Sequence, residues 1–248
     1  MKKLNYLLLT AFAFMISISF NAQTADEIIE NYIEKIGGAE NWQNVKAIKK
    51  NAIINQMGME IPIEMVQSGN KRYTKIFIQG QEIKQGVFDG ETLWSINFMT
   101  MKAEKSDQED VDKVKNELGE FPNPFLDYKE KGFSLELMGT EIVDGSDLFK
   151  IKLIKKPMLI DENEVPNFSV YYFDSKKFLP IMVHKEVMSG PAKGMIMESK
   201  MSNYQEVEGL YMPFSMTQGI KDQPGQTIKF NSIKLNPVID DSEFKFPE

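Results

Sequence analysis

The chain contains no cysteine, and its 248 residues include a single histidine, His184. Disulfides, thiol nucleophiles, thiolate metal sites and a lipid-attachment cysteine are therefore excluded, as is a multi-histidine metal centre. No cofactor is expected. Positive charge is also short: 29 Lys and Arg face 36 Asp and Glu, for a net charge of -7 and a pI near 5.1. That balance argues against nucleic-acid binding, which needs a basic face, and against a stable electrostatic dock on an anionic membrane. Nucleophile elbow, P-loop, dinucleotide fingerprint, HExxH and calcium loop are all absent. Arginine occurs once, as Arg72. Beyond the first residues no apolar run is long enough to span a bilayer.

That N-terminal stretch has the form of an address. Lys2 and Lys3 precede an apolar run from Leu4 to Phe20, and Ala22 offers a small residue at a cut before Gln23, with Ser19 as an alternative. Residues 1–22 are read as a secretory signal peptide, leaving 23–248 as one exported domain that is not itself lipidated.

The exported part begins as a helix. Thr24 and Glu27 match a capping box, Ile28, Ile29, Tyr32, Ile33 and Ile36 form one stripe, and Gly37-Gly38 ends it. Ala39 to Val45 reads as a second short helix. From Ala47 onward strands dominate. Ala47–Gln56 and Glu60–Gln67 pair across Gly58, and the stretch 69–97 holds two or three strands joined by tight turns. Ser106–Leu118 is the one polar helical insertion, with Val111, Val114 and Leu118 on one side. An aromatic segment with Phe121, Phe125, Leu126 and Tyr128 comes after it. Strands then run from Phe133 to Leu235, among them Leu148–Ile154 and Phe168–Phe173, with turns at Asp144-Gly145, Asp174-Ser175, Gly190-Pro191, Glu208-Gly209 and Pro224-Gly225. The spacing predicts one curled antiparallel sheet. So much sheet under so few helices leaves room for a hollow.

Side chains alternate along a strand, so Arg72, Thr74, Ile76 and Ile78 share one face. A charge at the head of an apolar face calls for a partner or a task, and guanidinium keeps its charge and offers a fork of donors. Trp94 and Phe98 share a face after the Asp89-Gly90 turn, where core packing is the simpler reading of Trp94. Met195, Met197, Ser199 and Met201 share another, and methionine, present 16 times, adapts to varied apolar partners. His184 has no paired nucleophile in the sequence, and carboxylate pairs such as Asp240-Asp241 lie in polar runs.

Lys71-Arg72 on an early strand, then Asp89-Gly90-Glu91-Thr92-Leu93-Trp94, resembles the LolA-like family of outer-membrane lipoprotein-sorting proteins. Tyr171-Tyr172-Phe173-Asp174 leading to Leu179-Pro180, Gly209-Leu210-Tyr211-Met212-Pro213 and the tail Asp241–Pro247 are similar to that family too. Tyr73 departs from it, standing where a proline often follows the Lys-Arg pair, and the 106–128 segment is enlarged. The resemblance implies a mainly β fold: an incomplete, half-open antiparallel barrel with a small helical lid. It implies a periplasmic carrier, not an enzyme, that takes lipoprotein acyl chains from an inner-membrane releasing complex to an outer-membrane acceptor. It also implies that Arg72 latches the lid. Arg72, Thr74, Ile76, Ile78, Trp94, Phe98, Met195 and Met197 are the candidate lipid-binding and latch residues. Two other readings stand beside the carrier: a binding or sensor module for another amphiphile such as a glycolipid or quinone, and an envelope hydrolase with scattered carboxylates.

Overall fold

The computed structural model describes residues 23–56, 58–160 and 163–247. The signal-peptide segment, 1–22, lies outside them.

Helix α1 spans Ala25–Lys35 and α2 spans Ala39–Gln43. The capping box forms in both directions: the Glu27 amide donates to the Thr24 hydroxyl at 3.2 Å, and the Thr24 amide donates to the Glu27 carboxylate at 2.9 Å. The predicted stripe is buried at Ile28, Ile29, Tyr32 and Ile36. Gly37 follows with φ +113°, and a Cβ there would lie 2.4 Å from the Gly209 carbonyl oxygen. Only glycine lets the end of α1 seat this closely on that turn, where the Tyr211 amide donates to the Ile36 carbonyl at 3.0 Å.

The strands are β1 Ala47–Gln56, β2 Met59–Ser68, β3 Lys71–Ile78, β4 Gln81–Phe88, β5 Leu93–Ile96 and β6 Ala103–Lys105. After helix α3, Gln108–Leu118, come β7 Ser134–Val143, β8 Ser146–Ile160, β9 Asn163–Asp174, β10 Pro180–Glu186, β11 Ile196–Val207, β12 Leu210–Ile220 and β13 Gln226–Leu235. Among the described residues they make one 13-stranded sheet in the order β6-β5-β4-β3-β2-β1-β13-β12-β11-β10-β9-β8-β7. Neighbours are antiparallel throughout. The sheet is two meanders joined where β1 pairs with β13, and it does not close, because β6 and β7 are its two edges. The mainly β, half-open architecture is thus as expected from the sequence.

This topology dictates the lid. The chain must travel from edge strand β6 to edge strand β7, so α3 and residues 119–133 cross from one edge to the other. They do so over the face that carries the main core. There Phe125 and Leu126 pack with Ile28, Tyr32 and Trp42 of the first two helices and with Ile48, Ile63, Ile151, Leu153, Phe173 and Phe230 of the sheet. Helix α3 itself lays Val111, Val114 and Leu118 on Phe88 and Leu93.

Two differences from the sequence reading concern strand ends. β6 was not anticipated, being three residues long. The second difference is that residues 155–160 and 163–167, left unassigned between Leu148–Ile154 and Phe168–Phe173, extend β8 and β9 into a long hairpin. Pro157 and Pro166 argue against strand. The ladder tolerates them because its register shifts between Lys155 and Met158, so neither proline amide is required there.

The C-terminal tail covers the opposite, outer face. A 3-10 turn, Asp241–Phe244, buries Phe244 against Val66, Tyr73, Val87 and Trp94. The Trp94 indole donates to the Phe244 carbonyl at 3.2 Å. Glu243 accepts Lys84 at 2.7 Å and Lys75 at 3.0 Å. The hydrogen bond from Lys84, aided by Lys75, holds the Glu243 carboxyl below its ordinary range. A depressed carboxyl contributes stability that is present above its unfolded value, about 4.3, and is lost as pH falls through the lower folded value. Glu243→Gln should therefore lower the melting temperature at pH 7, and the gap to wild type should close in acid. A gap that persists at about pH 2.5 would contradict this.

Candidate functional site

The register identifies the inner face residue by residue. Across the sheet, Met201 on β11 opposes Met216 on β12, Met216 opposes Ile228 on β13, Ile228 opposes Ile54 on β1, and Ile54 opposes Ile61 on β2. This row of five apolar side chains crosses five strands on one face, and each is only partly buried. Next to it Ala52 opposes Ile63, which opposes Ile76 of β3. Strand alternation explains the row, and four of its five residues, all but Met201, pack against the main core.

At Met216 the row meets a groove of about 640 Å³ that lies under the crossing segment. That is within the span of about 300–1,000 Å³ usual for small-molecule sites. Met65, Thr74, Met212, Met216 and Phe230 line its floor, and Phe121, Pro122 and Pro124 form its roof. A second hollow, about 460 Å³, lies between α1 and residues 125–130 and does not reach the sheet row.

Two ion pairs tie the crossing segment to the two halves of the sheet. The Arg72 guanidinium of β3 donates to Glu117 of α3 at 2.8 Å. The Lys155 ammonium of β8 meets Glu120, just past the helix, at 2.5 Å, and it also donates to the Ser169 hydroxyl at 3.3 Å. Their environments differ. Arg72 and Glu117 keep 32% and 48% of their side-chain surface, so water screens them. Lys155 keeps 3%. Burial there outweighs the attraction of Glu120 and leaves the ammonium easier to deprotonate than an ordinary lysine.

The sequence-predicted residues separate into groups. Arg72 and Thr74 line the groove, and Ile76 is packed against the core beside it. Ile78 ends β3, half-buried. Met197, paired with Ile220, continues the inner face toward the open end of the sheet, and Met195 precedes β11, exposed. Trp94 and Phe98 lie elsewhere. Trp94 is sealed on the outer face under the tail, so its own alternation carries it away from the groove. Phe98 lies in the β5–β6 turn and is exposed. Met65, Met212, Met216, Phe230, Lys50, Glu117, Glu120 and Lys155 were missed. Strand parity with Ile48 and Ala52 was a signal for Lys50. The two glutamates had none, because their partners are distant in sequence.

His184 is on the outer face, where its two ring nitrogens meet the Tyr172 hydroxyl at 3.2 Å and Glu198 at 2.8 Å. Among the described residues no group of three His, Asp or Glu side chains is placed to hold a metal ion. No helix among them is long and apolar enough to cross a membrane.

No protein-family model and no curated protein matches the sequence. Solved structures do match the fold. A DUF1329 family protein from Desulfovibrio piger aligns over 89% of this chain and 96% of its own, with a TM-score of 0.52 at 11% identity. An outer membrane lipoprotein-sorting protein domain from Vibrio parahaemolyticus aligns over 88% and 94%, with a TM-score of 0.51 at 10% identity. A LolA superfamily protein from Nitrosomonas europaea aligns over 90% and 98%, with a TM-score of 0.51 at 15% identity. None of the three is named as an enzyme. At such identities the likeness is one of architecture, and on it the chain has a LolA-like fold: an open antiparallel sheet curled around an apolar hollow and roofed by its own crossover.

Proposed function

We propose that this protein is a periplasmic carrier that binds the acyl chains of lipoproteins in the groove and delivers them toward the outer membrane. The observation that carries the reading is the partly buried apolar row from Met201 to Ile61, which at Met216 joins a groove roofed by a segment held by ion pairs. Burying a methylene contributes about 0.8 kcal/mol, so about ten of them give on the order of 8 kcal/mol without any directional contact. Met65, Met212 and Met216 suit such cargo, since unbranched thioethers adapt to chains of varied shape. The fold shared with a protein named for lipoprotein sorting supports the assignment. In this reading residues 1–22 direct export and are removed, 23–248 act as one domain, and the partners are an inner-membrane releasing complex and an outer-membrane acceptor.

Arg72 is the latch of this carrier. Its pair with Glu117 is exposed enough to contribute at most about 1 kcal/mol, which is a factor of roughly five in a lid equilibrium. Arg72→Leu should therefore leave the unfolding midpoint nearly unchanged and speed dissociation of a bound acyl ligand by about fivefold. Stopped-flow displacement measures it, and an unaltered off-rate would remove Arg72 from the mechanism. The carrier reading is tested by incubating the purified protein with inner-membrane vesicles carrying a labelled lipoprotein. Release into a soluble complex is expected, and no release would overturn the transfer function.

A further inference from the structure

We propose that the groove's ligand carries an oxyanion head, a carboxylate or a phosphate, and that Lys50 of β1 holds it. The inference rests on the acyl-binding reading above and adds a ligand beyond lipoproteins, whose ester- and amide-linked chains carry no oxyanion head: a free anionic amphiphile.

Lys50 occupies an inward position between Ile48 and Ala52, flanked in register by Ile233 of β13 and Met65 of β2. It lines the same groove as Arg72, Met216 and Phe230. Its ammonium stands 5.3 Å from the Phe230 ring centroid. Among the described residues no carboxylate lies within ion-pair distance of it. The contrast with other lysines is informative. Lys49, next in the chain and on the outer face, pairs with Glu64 at 2.5 Å. Lys75 pairs with both Glu82 and Glu243. Lys155, on the inner face like Lys50, has Glu120. The carboxylates that line the groove, Glu117 and Glu120, are each engaged by another cation.

An ammonium held partly buried in the groove without a counter-charge of its own costs free energy, and a purely structural role would be served better by leucine or methionine. Burial alone already draws the Lys50 ammonium below the ordinary lysine range, with no acidic neighbour opposing it. An amphiphile supplies what is missing. Its oxyanion would meet Lys50, and its chain would run along Ala52 to Ile54, about four residues and about 14 Å further along the strand. There it would reach the Met216–Ile228–Ile54–Ile61 row.

The test compares palmitate, lysophosphatidate with a palmitoyl chain, and uncharged monopalmitoylglycerol, each displacing a fluorescent acyl probe. Wild type should prefer the two anions, and Lys50→Met should weaken their binding by about tenfold or more while leaving monopalmitoylglycerol within about twofold. Lys50→Arg should keep the preference, which separates loss of charge from loss of folding. A larger loss for one anion would identify the head. If Lys50→Met affects charged and uncharged ligands equally, or if wild type shows no preference for the anions, the headgroup inference is overturned and acyl binding stands. If none of the three ligands binds, the acyl reading falls and this inference with it.

Discussion

Glu120→Ala is expected to destabilise the fold by about 3 kcal/mol, far more than its position on a surface-crossing segment suggests. The cause is Lys155. With 3% of its side chain exposed, that ammonium has Glu120 at 2.5 Å and the Ser169 hydroxyl at 3.3 Å as its partners. Removing the carboxylate leaves a buried cation uncompensated, and breaking such a pair from one side costs about 3–5 kcal/mol. The lower end applies because Glu120 keeps 21% of its side-chain surface. Removing both charges is a different perturbation. Burial already dominates the Lys155 ammonium, so the pair gains little beyond offsetting its own desolvation. Lys155→Met with Glu120→Leu should thus lie within about 1 kcal/mol of wild type. Urea unfolding of the two single variants and the double variant measures this. A Glu120→Ala loss below about 1 kcal/mol would show that the pair does not anchor the crossover.

Met216→Glu is expected to weaken acyl binding by at least about a hundredfold, a loss near ~2.7 kcal/mol. Met216 is the one residue that both lines the groove and belongs to the apolar row, between Met201 and Ile228. In the empty protein a glutamate there would face the groove and keep its water. An acyl chain sliding over it would strip that water from a carboxylate with no cation in register beside it, which costs several kcal/mol. The loss should appear in affinity and not in stability. Met216→Leu, which conserves volume, should bind within about tenfold of wild type. Titration with a fluorescent fatty acid distinguishes the two, and equal affinity for both variants would place the ligand elsewhere.

These two residues also show where the sequence was readable and where it was not. Turn chemistry and alternation are local signals. They gave α1 with its capping box, the hairpin at Gly58, the turn at Asp89-Gly90, and the shared face of Arg72, Thr74 and Ile76. Trp94 was legible as packing, but the surface it packs on was not, because Phe244 is 150 positions away in the chain. Lys155 and Pro157 looked like the end of a strand. They are the middle of one, because a register shift absorbs the proline and a distant glutamate absorbs the charge. The groove divides in the same way. Its floor obeys strand parity, whereas its roof and ion pairs depend on a crossover route that becomes visible only when β6 and β7 are known to be the two edges.

The two meanders explain how such a groove stays open. A sheet that joined β6 to β7 would be a closed barrel with no gap for the chain to cross. Here the edges stay apart, and a segment bearing Glu117 and Glu120 spans them with one exposed and one buried ion pair. The buried pair holds the crossover in place. The exposed pair is the weaker of the two.

The proposed function stands or falls with acyl chains lying on the inner face of the sheet. A photo-crosslinking side chain placed at Met216, and another at fully exposed Val238 as control, tests this when each protein is irradiated with a radiolabelled diacylated lipopeptide. A covalent acyl adduct is expected from Met216 and none from Val238. No adduct from Met216, or equal labelling at both positions, would contradict it.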